Sequence, residues 1–185
     1  MRAALAAVAM LAAVPAQAAA PAWVVDKAAS KVVLSSSFDG EPVSGTFRRW
    51  DADIRFDPKD LAGSSARVSL DTASIASGDA DQEAALPHRV WFWSDRYPKA
   101  TFTTRSFRSL GRGRYAAVGD LTIRGVTKPL TLPFSLAITG DTAKMNATVD
   151  VNRLAFGVGQ DEWKSTEVIP AAVKVTIALT ARRAK

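Results

Sequence analysis

Gly119-Asp120-Leu121-Thr122-Ile123-Arg124-Gly125-Val126-Thr127-Lys128-Pro129-Leu130-Thr131-Leu132-Pro133-Phe134 carries two alternating apolar and polar runs around a glycine-centred turn, which is the pattern of a β-hairpin. A period of two sets Leu121 and Ile123 on one face of the first run, and Leu130, Leu132 and Phe134 on one face of the second. Asp120, Thr122, Thr131 and Ser135 take the opposite side. Outward from this hairpin, the same alternation between turn signals predicts strands at 31–38, 43–56, 65–70, 100–107, 115–123, 128–138, 144–153 and 173–181. Eight strands suit a small closed barrel, and closure removes the edges that a β-rich chain would otherwise expose. The expected fold is all-β: an eight-stranded antiparallel barrel with one short helix and long loops at one end.

The run at 43–56 changes phase. Val43, Gly45 and Phe47 fall on odd positions, whereas Trp50, Ala52, Ile54 and Phe56 fall on even ones. A β-bulge at Arg48-Arg49 would return both sets to one face and bend the strand. Between Ser77 and Pro98 the alternation stops, and Asp79 to Leu86 reads as a short helix, with Asp79 as N-cap, acidic residues in the first turn and Pro87 ending it. Trp91, Phe92 and Trp93 then follow in succession. Three consecutive aromatics do not share one face, so they either plug the barrel end or line the entrance of a cavity.

Met1-Arg2, the apolar run from Ala3 to Val14 and the small residues around Pro15 to Ala18 have the form of a secretory signal peptide. Cleavage after Ala18 would leave 167 residues, a single domain over 19–185. The apolar run is shorter than the roughly 20 residues that a membrane span requires. The chain has no cysteine, which excludes disulfides, thiol catalysis, thiolate metal sites and a lipid-anchoring cysteine.

Without Arg2 the chain carries 23 basic and 18 acidic residues, a net charge of +5. The densest basic clusters, Arg48-Arg49, Arg105 to Arg114 and Arg182-Arg183, lack the interleaved aromatics of a nucleic-acid module. Nucleic acid is not an expected partner. Such cations serve solubility, or draw the protein toward an anionic membrane or headgroup.

Little in the chain points to catalysis. His88 is the only histidine, so a multi-histidine metal site is excluded. Asp79, Asp81 and Glu83 lack the glycine and distal glutamate of an EF-hand loop. No G-x-S-x-G elbow accompanies His88, and pairing Asp161 or Glu162 with Asp79 for glycoside hydrolysis needs a separation that sequence does not fix. Gly157 to Trp163 lacks phosphate-loop spacing and reads as a turn or as a flap with Trp163 at its tip. The expectation is no enzyme, no metal and no cofactor.

Seven pieces occur in one order: Trp23, "VSGTF" at 43–47, "IRFDPKD" at 54–60, "VSLDTASIAS" at 68–77, "LPHRVWFWSDRYPKATF" at 86–102, "GDLTIRGVTK" at 119–128 and "NRLAFGVG" at 152–159. Together they resemble the YceI-like, or polyisoprenoid-binding, family over nearly the whole mature chain. The resemblance departs at "DADQEAAL" and at "HRVWFW". It implies a lipocalin-like barrel that holds a long isoprenoid chain, in a bacterial periplasm. The segment "FGVGQDEW" is similar to a subgroup with membrane cytochrome partners of the b561 type.

With the hairpin as phase reference, the inward residues are Phe38, Phe47, Ile54, Val68, Leu70, Phe102, Leu121, Ile123, Leu132, Phe134, Met145, Val175 and Ile177. Periodicity gives the same pattern for a filled core and for a ligand wall; the resemblance makes them a cavity. Phe92, Trp93 and Trp163 are expected at its mouth, where Arg89 or Lys164 would also reach a ring or phosphate head. The expected function is periplasmic binding or carriage of an isoprenoid lipid, a quinone or a polyprenyl chain. The alternative is a non-enzymatic module docking on a membrane redox protein through Trp91 to Trp93. Self-association into a homodimer stays open.

Overall fold

The computed structural model describes residues 20–185, and the expected signal peptide at 1–18 lies outside the described residues. The strands are β1 (Ala22–Val25), β2 (Lys31–Phe38), β3 (Glu41–Phe47), β4 (Trp50–Asp57), β5 (Asp60–Asp71), β6 (Ile75–Ala76), β7 (Lys99–Gly111), β8 (Arg114–Ile123), β9 (Val126–Thr139), β10 (Thr142–Asn152) and β11 (Ala172–Arg183). One helix, α1 (Ala80–Ala85), stands between β6 and β7. The strands form one antiparallel sheet, and pairing of β1 with both β4 and β11 closes it. β2 and β1 lie successively against β11, while β3 and β4 lie successively against β2 and β1. Each of these two pairs makes one stave, which gives a wall of eight, with β6 added to the end of β3.

The opening hairpin is β8–β9, in register from Ile123 opposite Val126 to Tyr115 opposite Phe134. Its two-residue turn places Arg124 at φ 50° and Gly125 at φ 74°. Positive φ at both positions matches the right-handed twist of the flanking strands.

At Arg48-Arg49 the expected bulge is a complete interruption between β3 and β4. Both arginines leave the ladder. Arg48 N–H donates to Ser74 O, and Arg49 O accepts from Asp71 N–H. Ser74, in the 3-10 turn Thr72–Ser74, also accepts the Arg49 N–H at its Oγ. With two residues spent on the corner, Phe47 and Trp50 both turn inward, at 5% and 8% exposure. β1 and β6, for which the alternation gave no signal, are four and two residues long.

The two barrel ends differ. At one end the connections are the tight turns at 58–59, 112–113 and 140–141, and aromatic rings fill the interior. The Phe56 ring lies 5.1 Å from Phe107, 5.3 Å from Tyr115 and 6.1 Å from Phe134, all edge to face. Trp23 Nε1–H donates to Phe56 O at 2.9 Å. At the other end lie the long connections 72–98 and 153–171. Helix α1 belongs to the first, with Asp79 capping the Asp81 and Gln82 N–H groups as the sequence predicts. Glu83 ties this helix down: its Oε1 accepts from Ser77 and Gly78 N–H, and its Oε2 pairs with Arg48 Nη2 at 3.1 Å. The Gly78 amide, with Ser77 and Arg48, holds the Glu83 carboxyl below the usual range.

Two arginines fasten these connections. Arg124, at the hairpin tip, donates from Nη1 to Trp91 O at 2.6 Å and to Gly157 O at 2.5 Å, so one cation joins both covering segments to the wall. Arg153, 5% exposed, donates to the carbonyls of Val158, Ser165, Ile169 and Pro170. Four carbonyl acceptors solvate this buried cation in place of water, as a charge without a carboxylate partner requires.

Two outcomes are expected. Gly119 faces inward beside a shift of register in β7, and a Cβ there would overlap Thr103 O and press on the Phe102 ring. Gly119→Ala therefore lowers the urea midpoint, at a cost of about 1–3 kcal/mol. In Arg124→Gln, amide hydrogen exchange at 88–93 and 157–160 accelerates about tenfold or more while β9 and β10 keep their protection, because charge-assisted bonds of about 1.5–3 kcal/mol are lost.

Candidate ligand cavity

Between the aromatic end and the covered end lies a cavity of about 540 Å³. All thirteen residues that phase reasoning placed inward line it, from Phe134 and Leu132 near the filled end to Leu70, Ile123 and Phe38 near the cover. Their common placement follows from barrel geometry, in which every second residue of every stave faces the interior. The wall is apolar almost throughout. Polar residues enter the lining chiefly at the covered end, where Ser35, Ser36, Ser37, Ser44, Ser77, Asp81 and Gln82 are found.

The mouth opens where the β2–β3 hairpin, α1 and the segment 157–170 meet. Phe38, 43% exposed, and Trp163 both line the cavity, with ring centroids 6.2 Å apart. Val168, 37% exposed, sits beside them, its carbonyl accepting from Asp39 N–H. The three successive aromatics point to three places. Phe92 is buried edge-on against Phe47 at 6.2 Å, where it plugs the barrel. Trp91 lines the entrance, 5.3 Å from Trp163. Trp93 does not line the cavity; it packs on Tyr97 at 5.7 Å with Arg96 over its ring. Its φ of 50° belongs to the turn that reverses the chain there and aims the side chain elsewhere.

Arg89 and Lys164 are absent from the lining, and Arg89 pairs with Asp161 at 3.4 Å on the surface. His88 is exposed and lies outside the cavity. Among the described residues, no three His, Asp or Glu side chains gather in a group able to hold a metal ion. The basic run from Arg105 to Arg114 lies on the β7–β8 hairpin, whose turn is at the aromatic end, opposite the mouth.

Phase reasoning on the thirteen residues left out Arg153, although its phase was readable: Met145, Val149, Val151 and Arg153 share one parity along β10 and its continuation, and all line the cavity. Burial pushes the Arg153 guanidinium below its ordinary value. Trp23, Phe56 and Phe107 also line the cavity from the aromatic end, and the first two carry the inward parity of their strands. Asp81, Gln82 and Ser36 were not foreseen in the lining, because no strand period places a helix or ranks a serine as wall.

Residues 23–181 match the YceI-like domain. The protein YceI of Shigella flexneri is 36% identical over 97 residues, which are 52% of this chain and 50% of that protein. A UPF0312 protein of Vibrio campbellii is 33% identical over 90 residues, 49% of this chain and 48% of that one. The chain spans about half the length of the curated relatives it matches. Among solved structures, BcnA of Burkholderia cenocepacia superposes with a TM-score of 0.81 at 33% identity, covering 84% of this chain and 98% of that one. A polyisoprenoid binding domain from Saccharophagus degradans has the same fold, with a TM-score of 0.71 at 15% identity over 89% of this chain and 99% of that one. The ordered motifs, the eight-stave barrel and the domain match agree: the chain belongs to the YceI-like family.

Proposed function

We propose that the protein binds and carries an isoprenoid lipid, a quinone or polyprenyl chain, in the barrel cavity, and that it does so in a bacterial periplasm after removal of the leader at 1–18. The observation that carries this reading is the cavity's size together with its wall. A cavity of about 540 Å³ walled by apolar side chains leaves its lining without packing partners on one side. Water is a poor filling, because each buried molecule needs two to four polar partners and the lower wall offers almost none. An apolar chain needs no such partners and gains about 25 cal/mol per Å² of surface buried. The volume lies within the range of about 300–1,000 Å³ usual for small-molecule sites.

The description of the Saccharophagus degradans domain as polyisoprenoid binding supports the same ligand class. The alternative, docking on a membrane redox protein through the aromatic segment, has less behind it. Trp91 is half-buried against Trp163 and its carbonyl is taken by Arg124, so it offers little free surface. No chemical step is assigned to the site.

Native mass spectrometry of protein purified without detergent, followed by organic extraction, tests the reading. The expected result is one tail lipid per barrel, and a protein that neither retains nor takes up quinones or polyprenyl lipids overturns it. Met145→Trp, which fills the cavity from β10, is expected to abolish lipid uptake while circular dichroism stays unchanged. Lipid loading should raise the Tm of the parent chain and leave that of the variant unmoved.

A further inference from the structure

The basic clusters at 105–114 and 182–183 take no part in the cavity, and the fold brings most of their charge to one place. Lys59 and Arg112 lie in turns at the closed, aromatic end of the barrel. Arg108, Arg114, Lys144 and Arg182 lie within a few residues of that end, on β7, β8, β10 and β11, and all six side chains are exposed. The four on strands point outward. Phe107, Met145 and Ala181, their neighbours in sequence, line the cavity, and Tyr115, beside Arg114, packs on Phe56.

Strand register joins these four into a band. Arg108 is opposite Ala116, two residues from Arg114. Arg114 is opposite Ser135, and Ser135 is opposite Asn146, two residues from Lys144. Lys144 is opposite Thr180, two residues from Arg182, which is itself opposite Val24 of β1. Side chains so placed are neighbours on one face of a sheet.

Within the chain the band goes uncompensated. None of the six cations makes an ion pair among the described residues. The carboxylates nearby are engaged: Asp141 pairs with Arg183 at 3.5 Å, and in the β4–β5 turn Asp57 and Asp60 accept from the Lys59 and Gly63 N–H groups, each at 2.9 Å. Like charges side by side repel, and an anionic surface outside relieves that cost. Two exposed apolar side chains stand at the margins, Leu110 in the β7–β8 hairpin and Val24 beside Arg182. A protein partner asks for an apolar, charge-poor centre with a polar rim. The arrangement here is the reverse, and it suits a lipid surface, where cations meet headgroups and single apolar side chains enter between them. The mouth has no such character: Phe38 and Val168 are exposed there, but Asp39, Glu162 and Glu167 offset Lys164 beside them.

We propose that the closed end of the barrel docks on an anionic lipid surface through the band from Arg108 to Arg182, with Leu110 and Val24 entering the headgroup layer and the mouth held away from the lipid. This goes beyond the ligand reading and does not depend on what the cavity holds.

The test sediments the mature chain, 19–185, with vesicles of phosphatidylcholine made with or without phosphatidylglycerol. The protein should go down with the anionic vesicles and stay in solution with the neutral ones, and rising salt should release it. Arg114→Gln combined with Lys144→Gln should weaken binding about 25-fold, about fivefold for each cation lost. Lys99→Gln combined with Lys164→Gln removes the same charge from the covered end and should leave binding unchanged. Since the chain has no cysteine, a polarity-sensitive dye on Leu110→Cys or on Val168→Cys reports which end meets the lipid. Its emission should move to the blue at 110 and stay put at 168. The proposal is overturned by a protein that ignores anionic vesicles at low salt, by equal losses from the two charge pairs, or by a blue shift at 168 in place of 110. Capture by polyglutamate through Arg114 and Lys144, without binding to vesicles, overturns it in favour of an acidic protein partner. Native mass spectrometry reads the barrel's own lipid separately, so either reading fails without the other.

Discussion

Closure of the sheet is the constraint on which the rest of the structure depends. It is made by a short contact: Trp23, Val24 and Val25 of β1 pair with Arg183, Arg182 and Ala181 of β11, and the other edge of β1 pairs with β4. Without that stave a long antiparallel sheet would carry free edges, each a template for association with another chain. Trp23 reinforces the closure from inside, through its bond to Phe56 O and the Arg183 guanidinium 4.8 Å above its ring. Once closed, an eight-stave wall has an interior width that side chains fill only where they are large. Aromatic rings fill one end; aliphatic chains of ordinary size leave the middle open.

The covered end has the opposite difficulty. Its connections are long, polar in backbone and laid over an apolar tube, so their carbonyls need donors that the tube does not supply. Arg124 and Arg153 supply them, by six hydrogen bonds to carbonyls. Burial of both guanidiniums lowers their proton affinity, yet arginine starts so high that the charge persists. Lysine in either place would offer three donors from one point and would not span carbonyls spread over a loop.

The wall was legible in the sequence because a period of two is enforced at every residue of a stave. Thus Val68, Leu70, Leu132 and Ile177, far apart in the chain, could be assigned to one surface from parity alone. The corner at Arg48-Arg49 was legible as a change of phase, but whether one or two residues left the ladder depends on Ser74 and Asp71, which are distant in sequence. Trp93 was misplaced at the mouth because consecutive aromatics in a connection follow turn geometry, and a positive φ at a non-glycine residue has no compositional signature. Arg153 shows the reverse: its parity was readable, and only the habit of placing charges outside argued against it.

The aromatic end gives the barrel a direction. A tube filled at its base by Phe56, Phe107, Tyr115 and Phe134 has a single way in, beside Phe38 and Trp163. A long guest therefore cannot thread through: whichever end goes in first comes out last. A flexible hydrocarbon with a polar terminus enters tail foremost, since the base offers no partner for polar atoms, and it must leave with that terminus leading. On the carriage proposed above, whatever receives such a cargo would meet its head before its tail, so the fold itself would set the polarity of a hand-over.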